Sequence, residues 1–249
     1  MEAARGKADI PHDENSLLVA ADEIGTKFEA LFMQASFNDS GEARISACLL
    51  LTIAELYIAV LAVLRSPAQS HAGVLIRSML EALADLNNLV ADPNYLDQMH
   101  FDNADQMLKT SQGFLDDADL RDDPEVQENM KRWRAIEQEM YDKLKSKGCK
   151  PQGPAAKFKL AKMIGEYATG YRFLCSFSHS DLNTLIARHA GDGQLRFTDT
   201  LPPETLKSLL GLAISIYARS VNTLPKYSNL STAEVQSACD AADSIWSTL

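Results

Sequence analysis

The fold of this chain is decided by Ile45–Leu64, ISACLLLTIAELYIAVLAVL, a predominantly apolar run of 20 residues between Arg44 and Arg65. Such a run is long enough to cross a bilayer as a helix. Glu55 stands at its centre, however, and a central acid costs about 2.5–3.5 kcal/mol on membrane insertion. We therefore predict the central core helix of a soluble protein, with no membrane span.

Small side chains share the helix face that carries Glu55. They recur at the 3.6-residue helical period: Cys48, Thr52, Ala59 and Ala62. Because such a stripe lets another helix approach closely, we expect this face to lie inside the protein. An unpaired carboxylate there would be costly, so we predict that Glu55 is buried and hydrogen-bonded.

The rest of the chain shows helical apolar periodicity interrupted by turn signals, with only 12 glycines and 9 prolines. The predicted helices cover residues 15–37, 42–65, 70–91, 95–114, 124–147, 155–164, 166–189, 202–224 and 231–248. The seventh has a candidate interruption near Ser178–Ser180, and Gln194–Phe197 is the stretch most like a strand. The pattern predicts an all-α fold, a multi-helix bundle of eight or nine helices.

The clearest linker is Gly148–Pro154, which is the candidate point of subdivision into two domains. The best core helix lies before it and much of the remaining apolar sequence lies after it, so neither side looks self-sufficient. We predict a single helical-bundle domain over residues 1–249.

Charge and cysteine content restrict the function classes. The net charge is −10 and the pI is about 5.0, which argues against diffuse binding to nucleic acid or anionic membranes. The four cysteines are far apart, so neither a zinc site nor a disulfide framework is indicated. The polar N-terminus lacks the apolar run of a signal peptide, and we expect a cytoplasmic protein.

Bases outnumber acids over Lys131–Lys162, where Trp133, Tyr141 and Phe158 are interspersed, whereas Asp92–Glu128 is strongly acidic. A basic arm with aromatic residues is typical of single-stranded nucleic acid binding. Two solvated helices that complement each other electrostatically would show the same pattern. The acidic net charge favours the second interpretation.

A polar stripe marks the predicted long helix. Arg172, Ser176, His179 and Asn183 fall within about 60° of one another on a helical wheel. Arg172 and His179 are seven residues apart, about 10.5 Å along the axis of a continuous helix. Apolar residues such as Phe173 border the stripe on both sides. We therefore expect it to lie in a groove or within the bundle, where each polar group needs a partner.

The third predicted helix carries Arg77 and Glu81 at ion-pair spacing, opposite its apolar arc. Taken alone, this pair indicates a solvated helix surface. The pattern Arg-Ser-x-x-Glu at Arg77–Glu81, followed by Tyr-Arg-x-x-x-Ser-x-x-His at Tyr171–His179, changes that interpretation. Together the two motifs resemble an uncharacterised bacterial family known only as a domain of unknown function, over about Leu49–Ile186. The resemblance implies one cluster of four residues: Arg77, Glu81, Ser176 and His179.

The segment Arg172–His179 is also similar, more loosely, to the Arg-x(4–6)-His pattern of the HEPN superfamily. Those proteins are helical bundles, and many are metal-independent ribonucleases of toxin–antitoxin and phage-defence systems. The residue after the HEPN arginine is commonly asparagine, and here it is Phe173. Arg65 and His71 have the same spacing, but Pro67 interrupts any shared helix, so we set that pair aside.

The HEPN resemblance implies transesterification of RNA through its 2′-hydroxyl, without a metal or another cofactor. His179 is the implied general base or acid, and Arg172 the group that holds the scissile phosphate. Ser176 and Tyr171 would orient the substrate or the imidazole, and Glu81 would fix the histidine tautomer. Two protomers would pair as a homodimer to complete the site, with RNA as the partner.

A structural interpretation stands beside this one. The same arginine, glutamate and histidine side chains would form a satisfied polar network that fixes helix register in a non-catalytic binding or regulatory module. A di-metal carboxylate site needs paired Glu-x-x-His motifs, whereas Asp97–His100 is a single copy with the wrong acid. Arg188 and His189 point to different faces of their helix and are predicted to be surface residues.

Overall fold

The computed structural model describes residues 12–120, 122–178, 181–191, 194–195 and 200–249. It is 78% helical, which confirms the predicted all-α bundle. The helices are α1 (His12–Phe32), α2 (Gly41–Leu64), α3 (Ala72–Ala91), α4 (Tyr95–Asp116), α5 (Pro124–Ser146), α6 (Pro154–Leu160), α7 (Ile164–Glu166), α8 (Arg172–Ser178), α9 (Leu182–His189), α10 (Pro203–Val221) and α11 (Thr232–Trp246). Two 3-10 turns, Gln69–His71 and Leu224–Lys226, and a π-helical turn, Tyr167–Tyr171, connect some of them.

The extended structure is small. β1 (Ala190–Gly191) and β2 (Gln194–Leu195) form an antiparallel pair, in which Ala190 faces Leu195. The predicted strand-like stretch therefore begins as expected at Gln194, and its last two residues lie outside the described part of the chain.

The chain divides into two compact units. The first takes the described residues up to Val90 and from Phe158 to the C-terminus, and the second is Ala91–Lys157. The linker Gly148–Pro154 thus lies near the end of the second unit, shortly before the chain returns to the first. That the whole chain behaves as one domain stays a prediction.

Helices α1, α2 and α10 form the core of the first unit. The ring of Tyr217 lies 5.0 Å from that of Phe28 and 4.9 Å from that of Tyr57. The Tyr57 hydroxyl donates a hydrogen bond to the carbonyl of Ala21 at 2.7 Å, so this buried polar group is satisfied. Burial raises the pKa of Tyr57, which therefore stays a neutral donor.

The prediction that Glu55 is buried is wrong. The buried face of α2 carries its bulky residues, such as Leu50 and Tyr57, while Glu55 and the small residues Cys48 and Thr52 are exposed. Burying large apolar side chains removes more apolar area from water than burying alanine, cysteine or threonine, and this difference sets the orientation of the helix. α2 is therefore a half-buried helix and not a central one.

Within the described residues, α2 is long and apolar enough to cross a membrane by length and composition, with a mean hydropathy of 2.5. Of that apolar window, 44% is buried inside the protein, where α2 packs on α1 and α10. This packing suggests a helix of a soluble protein. Residence in the cytoplasm stays a prediction.

Helix α1 ends at Phe32, five residues before the predicted end at Phe37. The backbone of the following residues pairs with a distant segment: Asn38 N–H donates to the Tyr227 carbonyl at 2.9 Å, and Asn229 N–H donates to the Ser36 carbonyl at 3.0 Å. These long-range hydrogen bonds replace the helical ones. The local sequence pattern contains no sign of that competition.

The second unit is built on an antiparallel pair of helices, α4 and α5. Lys147 at the end of α5 pairs with Asp97 at the start of α4 at 2.6 Å, and Phe101 stacks on Tyr141 at 4.8 Å. The acidic and the basic segments of the sequence therefore meet inside this unit. This pairing favours the interpretation of two complementary helices over a free basic arm.

The predicted long helix 166–189 is divided. α8 ends at Ser178 and α9 begins at Leu182, in agreement with the candidate interruption near Ser178–Ser180. A π-helical turn, Tyr167–Tyr171, precedes α8 and was not predicted. Such single π turns often occur at functional positions.

Candidate functional site

Three side chains from α3 and the π-helical turn form one hydrogen-bonded cluster. Arg77 Nε donates to Glu81 Oε1 at 3.2 Å, and Arg77 Nη2 donates to the Tyr171 hydroxyl at 3.3 Å. The same hydroxyl donates to Glu81 Oε1 at 2.7 Å, which closes a triangle. The guanidinium also lies over the Tyr171 ring, 5.3 Å from its centroid. Each member of the triangle therefore contacts both others.

The electrostatics of this cluster keep its charge state fixed. Tyr171 is only 4% exposed, and its burial, followed by the hydrogen bond to Glu81, raises its pKa to about 12. Partial burial acts to lower the pKa of Arg77, but the Tyr171 hydrogen bond and the Glu81 charge outweigh it and raise that pKa. Tyr171 is therefore a neutral phenol and Arg77 a cation across the physiological range.

The π-helical turn brings Tyr171 to α3. The Tyr171 ring stacks on Tyr167 at 5.3 Å and packs against Phe158 at 4.9 Å, so two aromatic contacts hold it in place. Of the predicted site residues, the fold brings Arg77, Glu81 and Tyr171 together. The pair Arg77 and Glu81 is not the plain surface pair that α3 alone would indicate.

Two further predicted site residues on α8 lie apart from this cluster. The Arg172 side chain is exposed and makes no hydrogen bond or ion pair to the described part of the chain. Ser176 donates its hydroxyl to the carbonyl of Phe173 in the same helix, at 2.7 Å. His179 lies outside the described residues. The polar stripe is therefore not sealed between helices at Arg172.

The orientation of Arg172 follows from its neighbours. Tyr171 and Leu174 are both buried, at 4% and 0% exposure, and they define the inward side of this segment. Successive helical residues are turned by about 100°, so Arg172 is turned towards solvent. Phe173, one of the apolar borders of the stripe, is itself 57% exposed.

A cleft of about 1180 Å³ opens beside α8. Its walls are the turn between α2 and α3, helices α8 and α9, and the start of α10. Hydroxyl groups are frequent in the lining, among them those of Ser66, Thr184 and Thr205. The lining also contains two imidazoles and one guanidinium, from three residues that the sequence did not single out as a site: His71, Arg188 and His189.

His71 and Arg188 are in direct contact across the cleft wall. Arg188 Nη2 lies 2.7 Å from His71 Nε2. A guanidinium has only donors, so His71 Nε2 accepts this bond and the imidazole is neutral, with its proton on Nδ1. Partial burial, followed by the positive charge of Arg188 and by His189, lowers the pKa of His71 from its ordinary 6.5. The geometry and the electrostatics thus agree on a neutral imidazole at pH 7.

Arg188 has hydrogen-bonding capacity left over. Among the described residues its buried Nε has no hydrogen-bond partner. Guanidinium groups bind carboxylate and phosphate through two parallel N–H donors. An anion in the cleft would reach this donor once the guanidinium turned towards it.

The wall that carries His71 is held firmly in place. Gln69 is 3% exposed, and its amide nitrogen donates to the Leu64 carbonyl at 2.9 Å. Its amide oxygen accepts from the Leu201 N–H at 2.8 Å, which joins the turn to the residues before α10. Both ends of this buried amide are satisfied. The two hydrogen bonds therefore tie the turn that carries His71 to the end of α2 and to the segment before α10.

The cleft was not predictable from local spacing. Arg65, the arginine at HEPN-like spacing from His71, instead pairs with Asp22 and so takes no part in the cleft. Arg188 and His189, predicted to be surface residues, are half-exposed, and both line this open cleft, which the sequence did not indicate. No group of three or more His, Cys, Asp and Glu side chains that could hold a metal ion occurs among the residues described.

These observations define an all-α protein with a half-buried Arg–Glu–Tyr cluster and an open, hydroxyl-rich cleft. Residues 43–194 match DUF5677, a family of unknown function. The match covers more than half of the 249 residues, and the chain belongs to this family. Both motifs that carried the resemblance lie inside the matched range. No curated protein and no solved structure matches the chain.

Proposed function

We propose that this protein is a metal-independent endoribonuclease of the kind found in toxin–antitoxin and phage-defence systems, and that RNA is cleaved in the cleft. The observation that carries the proposal is the neutral His71 imidazole, which accepts a hydrogen bond from Arg188 at 2.7 Å in an open cavity. A neutral imidazole is a competent general base, and a guanidinium is suited to a phosphodiester.

The chemistry requires only groups that RNA and this cleft supply. Nε2 of His71 accepts the proton of the 2′-hydroxyl while the 2′-oxygen forms a bond to phosphorus. The bond from phosphorus to the 5′-oxygen breaks, and a second imidazole gives that oxygen a proton. The products are a 2′,3′-cyclic phosphate and a 5′-hydroxyl. His189 lines the same cleft and is one candidate for the acid.

Arg188 has two roles in this scheme. Without RNA it caps His71 Nε2, and with RNA its guanidinium turns to the phosphate and leaves Nε2 free. A guanidinium on the scissile phosphate also stabilises the charge that grows there in the transition state. The hydroxyl groups of the lining can bind the non-bridging oxygens and the sugar.

The sequence resemblance assigns the same chemistry to Arg172 and His179. His179 stands in the chain between Ser176 and Asp181, which both line the cleft. We keep it as a second candidate for the acid, and Arg172 as a rival to Arg188. Pairing of two protomers as a homodimer stays a prediction.

The test is cleavage of a mixed RNA substrate in the presence of EDTA, with thermal stability measured in parallel. Loss of a general base or of a phosphate-binding guanidinium is expected to lower the rate by about 10²-fold or more. The variants are His71→Ala, Arg188→Ala, His179→Ala and Arg172→Ala. A matched control is Arg44→Ala, because Arg44 is exposed and forms a surface ion pair with Asp39 near the start of α2.

Loss of cleavage with His71→Ala and Arg188→Ala, at unchanged melting temperature, is the result expected. If cleavage is lost with Arg172→Ala instead, the guanidinium that binds the phosphate is that of Arg172 on α8. Wild-type protein that leaves every RNA substrate intact in EDTA would overturn the proposal.

A second candidate function is a non-catalytic binding or regulatory module. The observation that favours it is the closed triangle of Arg77, Glu81 and Tyr171, in which the side chains satisfy one another and present no reactive group. Such a network fixes the register between α3 and the π-helical turn before α8. In that case, substitutions in the triangle lower the melting temperature, and neither the wild type nor any variant cleaves RNA.

A further inference from the structure

An aromatic wall lies on one side of the cleft. Phe173 and Phe177, one helical turn apart on α8, both line the cavity. Their rings are 5.3 Å apart and nearly perpendicular, at 78°. Phe173 is 57% exposed, which leaves much of its ring open to a ligand. An exposed phenylalanine in a cavity gains contact area only when something covers it.

The position of this wall is fixed by α3. A Cβ atom on Gly73 would stand 2.8 Å from Cγ of Phe177, so the glycine allows the Phe177 ring to lie directly on the α3 backbone. Phe177 in turn supports Phe173 by the edge-to-face contact. Phe173 is therefore an exposed ring on a rigid support, which is the arrangement of a stacking platform.

Among the described residues, the polar side of the cleft offers one guanidinium cation and one carboxylate, which offset each other. In the described lining, the guanidinium comes from Arg188, two imidazoles come from His71 and His189, and Asp181 adds the carboxylate. The whole chain carries a net charge of −10. A long polyanion would gain little from this surface, whereas a single phosphate finds the donors of Arg188 and the surrounding hydroxyl groups.

We propose that the cleft binds single-stranded RNA with one base stacked on Phe173 and one phosphate held by Arg188. The choice of RNA as ligand rests on the proposed function. Bases in a duplex are stacked on each other and are not available to a protein ring, so the platform selects unpaired nucleotides. Stacking on a phenyl ring tolerates every base, so a weak sequence preference follows.

The experiment measures binding separately from cleavage. The probe is a fluorescein-labelled single-stranded oligonucleotide with 2′-O-methyl groups throughout, which lacks the 2′-hydroxyl proton and so is not cleaved. Its dissociation constant is measured by fluorescence anisotropy for wild type, Phe173→Ala, Phe173→Leu and Phe173→Tyr. The matched control is Leu182→Ala, since Leu182 is 69% exposed on α9 and does not line the cleft.

The expected results discriminate stacking from simple apolar contact. Phe173→Ala should weaken binding by about fivefold to 150-fold, since one base–aromatic stack contributes about 1–3 kcal/mol. Phe173→Tyr should keep the affinity of the wild type, because it keeps an aromatic ring. Phe173→Leu should bind as weakly as Phe173→Ala, and Leu182→Ala should bind as tightly as the wild type. Equal affinity of wild type and Phe173→Ala, or equal affinity for the matching duplex, would overturn the inference.

The salt dependence tests the single phosphate. With one phosphate neutralised, the logarithm of the association constant should fall as the logarithm of the salt concentration rises. The expected slope is about −0.7, the single-strand value for one contact. Arg188→Ala should bring that slope close to zero. A slope several times steeper, unaffected by Arg188→Ala, would show an extended polyanion track and overturn the assignment.

Failure of this inference and failure of the proposed function give different results. If the 2′-O-methyl probe binds with the Phe173 dependence but ordinary RNA stays intact, the ligand assignment holds and the catalytic proposal fails. If RNA is cleaved in EDTA with His71 and Arg188 required, but Phe173→Ala has the KM of wild type, the catalytic proposal holds and the platform is wrong.

Discussion

At the residue scale, the Tyr171 hydroxyl is the centre of the Arg77–Glu81–Tyr171 triangle, since it donates to one partner and accepts from the other. Phe at this position would keep the ring packing and remove both hydrogen bonds. The Glu81 side chain is 43% exposed, so water replaces part of what is lost. We expect Tyr171→Phe to lower the free energy of unfolding by about 1 kcal/mol, measured by urea denaturation.

A matched control for that variant is Tyr167→Phe. Tyr167 stacks on Tyr171 at 5.3 Å in the same π-helical turn, but its hydroxyl has no hydrogen-bond partner in the described part of the chain. Its removal should be nearly neutral. Equal effects of the two substitutions would mean that the triangle does not stabilise the fold.

His71 carries the second prediction at this scale. Burial, Arg188 and His189 all lower its pKa in the folded protein below the ordinary 6.5. The unfolded chain therefore takes up a proton first as the pH falls. The contribution of His71 to stability is complete above about pH 6.5 and is lost as the pH falls through the folded pKa.

An NMR titration of the His71 ring should give a pKa below 6.5. Arg188→Gln removes the neighbouring positive charge and should raise that pKa, whereas the remote substitution Arg44→Gln should leave it unchanged. A His71 pKa above 6.5, or one that Arg188→Gln does not move, would contradict the contact as described.

At the scale of the element, the packing of Phe177 on α8 against the first turn of α3 depends on Gly73. Alanine there would place Cβ 2.8 Å from Cγ and 2.9 Å from Cδ2 of Phe177, near the base of the ring, where rotation gives little relief. We expect Gly73→Ala to destabilise the protein by about 1–3 kcal/mol through overpacking, measured as the shift in melting temperature and urea midpoint.

The control for this prediction is Gly165→Ala in α7. A Cβ on Gly165 meets nothing within 4 Å, and alanine is a better helix former by up to about 1 kcal/mol. The two glycine substitutions should therefore have opposite signs. If Gly73→Ala is as well tolerated as Gly165→Ala, then α3 and α8 are not packed as closely as described.

The elements themselves were largely readable from the sequence, because their signals are local. Asp123 caps α5 through its side chain, with Pro124 at the first helical position, and Ser40 caps α2. The errors arose where a distant segment decides the outcome. The end of α1 is set by pairing with residues 227–229, and the orientation of α2 is set by which face α1 and α10 cover.

At the scale of the whole molecule, one part of the candidate site could be predicted from sequence motifs, and another part depends on the tertiary fold alone. Arg77, Glu81 and Tyr171 were candidate site residues because two short motifs carry them, although about ninety residues separate α3 from the π-helical turn. The predicted cluster, however, joined Arg77 and Glu81 to Ser176 and His179, and the fold puts Tyr171 there, while Ser176 bonds within α8. The cleft has no comparable motif. It is assembled from the turn before α3, from α9 and from the start of α10, so only the tertiary packing brings His71 to Arg188.

The central claim is that this cleft cleaves RNA by transesterification without a metal. The most direct measurement is mass spectrometry of the fragment ends that the protein produces from one RNA oligonucleotide in EDTA. The account predicts 2′,3′-cyclic phosphate and 5′-hydroxyl ends, lost with His71→Ala and with a 2′-deoxy group at the cleaved position. Fragments with 3′-hydroxyl and 5′-phosphate ends, undiminished yield from His71→Ala, or no fragments at all would contradict it.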